Sequence, residues 1–290
     1  MKPHIILFVG VLSVSFAATF IRLAEAPPLV IATYRLTIAS IILIPIASIR
    51  SAPNLKSLTR LPRRDILLIL LSSMSLALHF GLWITSLNYT SIASSVVLVT
   101  SHPAFVAVTS YFLWGERLNK LTISGITVAL AGVILINYGG LTFGSQAILG
   151  DLLALIAGFA MGAYLIIGGQ IRTRIDILPY LTILYTCSAV ILLVATMLSG
   201  HSLIGYSPDT YLMLILLALI PQLIGHSCLN MAVRLVPVTL VSVAILGEPV
   251  GATLLGALIL GEMPTTNEII GGLLILGGIF IVLRRSRRTG

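Results

Sequence analysis

The segment HPAFVAVTSYFLWGERLNKLTISG (102–125) returns 146 positions later as EPVGATLLGALILGEMPTTNEIIG (248–271). Each copy has a proline at its second position, the glutamate of a Gly-Glu pair thirteen residues after that proline, and a glycine at its end. Each copy also begins within one hydrophobic stretch and ends within the next, and these stretches are long enough to cross a bilayer. The pattern therefore indicates an internally duplicated membrane protein.

Composition supports a membrane location for the whole chain. Apolar residues make up 58% of the sequence and charged residues only 9%, with a mean hydropathy of +1.10. Because lipid offers no partners to open backbone, and because the stretches lack the alternation of a membrane strand, we expect helices. The fold class predicted is an all-α integral membrane protein with ten transmembrane helices. The predicted spans are 4–22, 29–49, 66–87, 91–114, 121–138, 149–170, 177–199, 210–232, 237–260 and 267–283.

The duplication divides the chain into two sets of five spans. Residues 1–142 form the first five-helix repeat and residues 143–290 the second, within one transmembrane domain. Because five is odd, the second copy must insert upside down. Inverted repeats of this kind are a common plan of secondary transporters, in which the two halves enclose the pathway. The sequence therefore predicts a carrier built from two oppositely inserted halves.

The basic residues predict the orientation. The net charge of +8 could suggest a nucleic-acid ligand, but the basic residues lie on short connections between spans. With a cytoplasmic N-terminus, every lysine and arginine except Arg22 and Arg35 falls on the inner side. Lys and Arg are enriched in cytoplasmic loops of membrane proteins. We therefore expect a multi-pass protein of the plasma (inner) membrane with both termini cytoplasmic and no nucleic-acid partner.

The two repeated prolines predict bends at the bilayer midplane. Pro103 and Pro249 lie near the middle of the fourth and ninth spans, where each removes a backbone donor. Matching helix interruptions in two repeats point to a transporter's central site. Glu116 and Glu262 end the same two spans near the water boundary, where a hinge or capping role is expected.

Glu248 is the only carboxylate well inside a predicted span. An unpaired charge at that depth costs at least about 2.5 kcal/mol, so Glu248 must be paired, solvated or protonated. Arg35, in the second span, is the natural candidate partner. Three interpretations remain open at this point: a structural ion pair, an anchor for a zwitterionic or anionic substrate, and a proton-coupling carboxylate.

Further polar side chains recur at helical spacing within the spans. His79 and Trp83 are four residues apart, so they share one face of the third span. Because such groups find no partners in lipid, we expect these faces to point inward. The predicted substrate-binding and transport residues are Arg35, His79, Trp83, Ser94, His102, Tyr164, Gln222, His226, Asn230 and Glu248.

Signatures of enzymes are not found in the sequence. It contains no P-loop, no Gly-x-Ser-x-Gly and no His-Glu-x-x-His, and its histidines do not pair at metal-binding spacing. We expect no enzymatic activity, no cofactor and no metal. Two alternatives to a carrier remain, namely a passive channel for small solutes and an intramembrane lipid-modifying enzyme. Proton coupling, the direction of transport and the oligomeric state are left open.

These residues resemble the ten-helix drug/metabolite transporter superfamily, in its EamA-type branch. The resemblance covers the whole chain and rests on Arg35, the run from Pro103 to Arg117, Gly125, Gly132, Glu248-Pro249, Gly261-Glu262, Gly271 and Gly278. It implies two inverted five-helix halves around a central cavity, with the fifth and tenth helices packed behind. It also implies export or exchange of small metabolites, often amino acids, by alternating access. Met263 stands where the first repeat has Arg117, so no role for that arginine is transferred.

The resulting hypothesis assigns roles to four residues. Arg35 attracts a substrate carboxylate, His79 and Trp83 contact the rest of the substrate, and Glu248 orients the site or takes up a proton. The partners expected are a small-molecule substrate, such as an amino acid, and the lipid bilayer.

Overall fold

The computed structural model of the protein describes residues 2–50, 61–114, 119–138, 145–261 and 263–286. Within them, ten helices are long and apolar enough to cross a membrane, one at each predicted position, so the prediction of ten spans is confirmed. We number these helices α1 to α10 along the chain. Their bounds are Pro3–Leu23, Pro28–Arg50, Arg63–Ser86, Ser94–Leu113, Lys120–Asn137, Gln146–Ile171, Ile177–Leu198, Pro208–Leu235, Val238–Ile259 and Thr266–Leu283.

Helices α5 and α10 pack against each other through glycines, in opposite directions. A Cβ atom added to Gly125 would lie 2.8 Å from the carbonyl oxygen of Gly278, and one added to Gly132 would lie 2.5 Å from that of Gly271. Small residues allow such approach of two backbones, which supplies packing where lipid removes the hydrophobic drive. The earlier glycine of α5 meets the later glycine of α10, and the later one meets the earlier one, so the two helices are antiparallel.

Helices α2 and α7 form a second antiparallel pair, joined by hydroxyl groups. The Ser40 and Thr186 hydroxyls lie 2.5 Å apart, and those of Thr33 and Thr196 lie 2.8 Å apart. Two further pairs complete the bundle, because α3 packs along α6 and α1 packs along α8. Each of these contacts joins a helix from the first five to one from the last five.

Helices α4 and α9 are interrupted at matching positions. The first piece of α4 ends at Val99 and the second begins at His102, while α9 breaks between Ile245 and Glu248. In each helix the proline is the second residue after the break. A proline has no N–H to donate to the carbonyl four residues earlier, and it is tolerated in a first helical turn. Glu116 and Glu262, where we expect hinge or capping roles, lie outside the described residues.

Helix α8 contains a π-helical segment, Ala218–His226, with Pro221 inside it. A proline within a helix clashes with the carbonyl four residues earlier, and a wider turn with bonds to the fifth residue relieves that clash. Such π segments occur frequently at functional sites. This one carries Gln222 and His226.

Candidate functional site

A cavity of about 80 Å³ lies at the level of the two helix breaks, between α1, α2, α3, α4, α6, α8 and α9. It is small beside the ~300–1,000 Å³ of pockets for drug-sized ligands. This conformation therefore admits only a small solute. The predicted site residues that line the cavity are Arg35, His79, Trp83, His102, His226, Glu248 and Pro249.

Arg35 is fully buried at 1% exposure, although its guanidinium carries a fixed charge. Its Nε donates a hydrogen bond of 2.7 Å to Oε1 of Gln222. Its guanidinium carbon lies 4.0 Å above the centre of the Phe80 ring. A cation over an aromatic face is stabilised by about 0.5–2 kcal/mol. These two contacts fix the plane of the guanidinium, and Nη1 is left with no hydrogen-bond partner.

Glu248 lines the same cavity as Arg35 but does not form an ion pair with it. Among the described residues, the ion pairs join Arg174 to Asp65 and Arg234 to Asp176, all at one end of the bundle. Arg35 and Glu248 take part in neither pair. The structural ion pair considered from the sequence is therefore absent, because Gln222 and Phe80 take the place of the carboxylate around Arg35. The guanidinium of Arg35 and the carboxyl group of Glu248 both remain available to a solute in the cavity.

Aromatic rings form one wall of the cavity. The His79 and Trp83 rings stack with centroids 5.9 Å apart and planes inclined by 13°. The Nδ1–H of His79 donates to the carbonyl of Ala157 at 3.1 Å, which fixes the ring against α6. The Phe80 and His226 rings meet edge to face at 5.2 Å. The wall is therefore rigid, with polar ring atoms set among apolar surface.

Several polar atoms around the cavity are buried without a partner. They include Nη1 of Arg35, Nε1 of Trp83, Nδ1 of His226, and Nε2 of Gln222 next to Arg35. A buried polar group left unsatisfied costs about 1–3 kcal/mol. The arginine, tryptophan and glutamine groups are obligate donors. The arrangement therefore favours a guest that brings acceptor oxygens, such as a carboxylate, or water in its place.

Four of the ten predicted site residues are not among those that line the cavity, namely Ser94, Tyr164, Gln222 and Asn230. Gln222 accepts the hydrogen bond from Nε of Arg35 on the side away from the cavity lining. The side-chain amide of Asn230 donates to the hydroxyl of Tyr164. Asn230 lies one turn beyond His226 along α8, between Leu229 of this cavity and Val233 of a second one, so it is displaced along the helix axis from the cavity described here. Ser94 lies near the start of α4, where its N–H bonds to the Ser91 side chain.

The sequence argument missed Phe80, which lies under Arg35 and lines the cavity. One signal could have found it, because Phe80 precedes His226 by the repeat distance of 146 positions. It also missed Thr100 and Met161 in the lining. Pro103 is not in the lining, whereas its counterpart Pro249 is.

Comparison with known proteins places the chain in a family. The EamA-like transporter family matches residues 1–138 and again residues 148–284. The chain belongs to the EamA-like transporter family. It is therefore a multi-pass membrane transporter, and the resemblance noted from the sequence is confirmed.

Transporters of other organisms align over most of this EamA-like chain. An uncharacterized transporter of Archaeoglobus fulgidus is 23% identical over 99% of both chains. The uncharacterized transporter YdfC of Bacillus subtilis is 24% identical over 94% of this chain and 87% of its own. A probable amino-acid metabolite efflux pump of Escherichia coli is 26% identical over 70% of this chain and 71% of its own.

A solved crystal structure has the same fold as this EamA-like chain. It matches with a TM-score of 0.85 at 20% identity and covers 99% of this chain and 98% of the other. At that identity the likeness establishes the fold alone.

Proposed function

We propose that this transporter moves a small metabolite, with an amino acid as the leading cargo, across the cell inner membrane by alternating access. The observation that carries the proposal is the buried Arg35, whose Nη1 is unpaired in a cavity that also contains the carboxylate of Glu248. A zwitterion supplies a carboxylate for the first group and an ammonium for the second. The similarity to a probable amino-acid metabolite efflux pump supports the same cargo class.

In this proposal the two halves, residues 1–142 and 143–290, insert in opposite directions and enclose the cavity between them. The antiparallel contact of α5 with α10 supports it, since Gly125 and Gly271 differ by 146 positions, as do Gly132 and Gly278. Interrupted helices at the midplane, here α4 and α9, are a recurring feature of carriers that bind cargo there. Both termini are proposed to be cytoplasmic, which follows from the distribution of basic residues.

Roles for the individual residues follow from their contacts. Arg35 binds a cargo carboxylate through Nη1, and Gln222 and Phe80 hold the guanidinium in place. His79 and Trp83 pack on the body of the cargo as a rigid ring pair. Glu248 attracts the ammonium group, or takes up a proton when the cavity is empty.

Transport by purified protein in lipid vesicles tests this function. Vesicles preloaded with unlabelled amino acid should accumulate the labelled amino acid by counterflow, and uptake should saturate. Unitary currents without saturation would support the passive channel instead, and turnover of lipid without flux would support the lipid-modifying enzyme. An imposed pH gradient that drives accumulation would show proton coupling. Vesicles of both orientations, compared side by side, give the direction.

Two variants connect the activity to the site. Arg35→Ala and Glu248→Gln should each abolish or strongly reduce counterflow, and Arg22→Ala, at the exposed end of α1, is the matched control. Thermal melting of each variant shows whether a loss of activity is a loss of fold. Folded variants that transport as well as the unaltered protein would remove both residues from the mechanism.

A further inference from the structure

A second cavity of about 680 Å³ opens at the end of the bundle that carries Arg64, Asp65 and Arg174. We call this end the basic end. Four helices, α3, α6, α8 and α9, contribute to the lining of both cavities. Along α3 the lining changes from Leu68 to His79, and along α6 it changes from Gly169 to Met161. Only a few helical turns therefore separate the central cavity from water at the basic end.

A layer of hydrogen-bonded polar residues begins between the two cavities and extends beside the cavity at the basic end. It consists of Ser72, Tyr164, Arg172, Tyr180 and Asn230, which we call the inner layer. Each member is at most 2% exposed. Tyr164 and Asn230 occupy positions on α6 and α8 between the residues that line the central cavity and those that line the basic-end cavity. Ser72 lies on α3 between Leu68, which lines the basic-end cavity, and His79, which lines the central cavity.

The contacts of the inner layer join four separate elements. The Asn230 side chain donates to the Tyr164 hydroxyl and, at 2.8 Å, to the carbonyl of His226. The Arg172 Nε donates to the Asn230 carbonyl at 3.3 Å. The Arg172 guanidinium lies 5.9 Å from the centre of the Tyr180 ring, and the Tyr180 and Ser72 hydroxyls are 3.0 Å apart. The layer thus connects α3, α6, α7 and α8 across the path.

Arg172 keeps its charge within the inner layer. Burial, and next the positive charge of Arg234, lower the pKa of Arg172 to about 10. The guanidinium therefore stays protonated at neutral pH. Its Nη1 also donates to the carbonyl of Ile175, which ties the connection between α6 and α7 to the layer.

The counterpart positions in the first half cannot build the same layer. A shift of 146 positions takes Tyr164 to Ala18, Asn230 to Ile84 and Arg172 to Ala26. None of these side chains can form a hydrogen bond, whereas Tyr34, the counterpart of Tyr180, donates to the carbonyl of Leu203 at 2.6 Å. Ala18 lines the central cavity and is exposed. The hydrogen bonds that connect Tyr164, Asn230 and Arg172 at the basic end therefore have no equivalent at the counterpart positions of the first half.

We propose that the inner layer is the gate of the basic end, and that its hydrogen bonds hold the carrier in the conformation seen here, closed at that end. This inference rests on the proposed alternating-access function. In this proposal the bond between Tyr164 and Asn230, which joins α6 to α8, breaks when the gate opens. Each bond lost from the layer shifts the population toward the conformation that is open at the basic end.

Accessibility of a single cysteine tests the gate without any cargo. In full-length protein with Cys187 and Cys228 replaced by serine, Ala18→Cys places a thiol in the central cavity, because Ala18 lines it and is exposed. A membrane-impermeant maleimide is added to sealed vesicles of each orientation. Tyr164→Phe and Asn230→Leu should raise the labelling rate from the basic end by roughly fivefold each, the shift expected from one lost hydrogen bond. Labelling from the opposite end should fall.

Asn137→Leu is the matched control, because among the described residues Asn137 bonds within α5, to the carbonyl of Val133. Its labelling should equal that of the parent protein. Tyr164→Phe removes one hydroxyl and keeps the ring. If Asn230→Leu does not fold, the labelling rate of Tyr164→Phe protein alone tests the gate. Unchanged labelling in folded Tyr164→Phe protein would overturn the gate.

The outcome is separable from that of the proposed function. If labelling responds as expected but no amino acid shows counterflow, the gate stands and the function proposed above is wrong. If counterflow occurs but labelling does not respond, only the gate is overturned.

Discussion

The rings of Phe80 and His226 touch edge to face, with centroids 5.2 Å apart and planes inclined by 72°. These residues are separated by the repeat distance of 146 positions, as are Ser40 and Thr186, whose hydroxyls also touch. Two counterpart residues can meet only near an axis that exchanges them. Both contacts are therefore what a twofold relation between the halves would produce, and the Phe80 contact places the central cavity beside that axis.

The cavity is nevertheless chemically polarised, because the counterparts of its charged residues are different. Shifted by 146 positions, Arg35 corresponds to Leu181, and His102 corresponds to Glu248. A symmetric scaffold thus carries one cation from α2 and one carboxylate from α9. If the cargo is the proposed zwitterion, this difference should give it a single orientation.

Phe80→Leu should weaken cargo binding while the protein stays folded. The ring lies 4.0 Å from the guanidinium carbon of Arg35, and leucine keeps the apolar contact but not the cation–π attraction. The loss of about 0.5–2 kcal/mol corresponds to a KM increase of roughly 2- to 30-fold. Phe280→Leu is the control, since Phe280 is exposed on α10. Equal KM values for the two variants would contradict a role for Phe80.

Arg35→Lys should reduce transport although it conserves the charge. The planar guanidinium of Arg35 bonds to Gln222, stacks on Phe80 and still presents Nη1 to the cavity. A lysine ammonium is a point charge and cannot make all three contacts at once. A hydrogen bond to a charged group contributes about 1.5–3 kcal/mol, so we expect KM to rise roughly 10- to 100-fold. Counterflow in vesicles measures it.

Arg234→Lys is the control for that substitution. Arg234 pairs with Asp176 at 3.5 Å on the exposed surface, where such pairs contribute little. Its KM should match that of the unaltered protein. Full activity of Arg35→Lys would show that the site needs only a positive charge.

Gly132→Ala should destabilise the packing of α5 against α10. The added methyl would lie 2.5 Å from the carbonyl oxygen of Gly271, which is backbone and cannot move aside alone. Overpacking of this kind costs about 1–3 kcal/mol, so the Tm in detergent should fall by several degrees. Gly277→Ala is matched to it, because a Cβ there meets nothing within 4 Å. A Tm equal to that of Gly277→Ala would mean that the helices separate without penalty.

The sequence was sufficient for the ten helices because apolar runs of that length have few alternatives in a membrane. The 146-residue offset also indicated where α4 and α9 are interrupted, since both prolines mark the breaks. Six of ten proposed site residues line one cavity, because an intramembrane polar side chain must face inward to find a partner.

The partner of Arg35 could not be predicted in the same way. The sequence suggested Glu248 because opposite charge was the one criterion available for a partner of Arg35. In the structure, Arg35 contacts Gln222 and Phe80 instead. Phe80 and Gln222 meet Arg35 only through the packing of α2, α3 and α8, which no spacing within one helix reveals. Helical periodicity likewise predicts which residues share a face but not their depth along the helix, and Asn230 lies one turn beyond the cavity-lining His226.

Pro249→Ala should slow turnover more than it weakens binding. Alanine restores an N–H that can donate to the carbonyl of Ile245 four residues earlier, which favours a continuous α9 across the present break. A straighter helix resists the bend between the two conformations, so kcat should fall while KM changes little. Pro45→Ala is the matched control, because Pro45 lies within α2 on its exposed side. If both variants turn over at the same rate, the break in α9 is not part of the transport cycle.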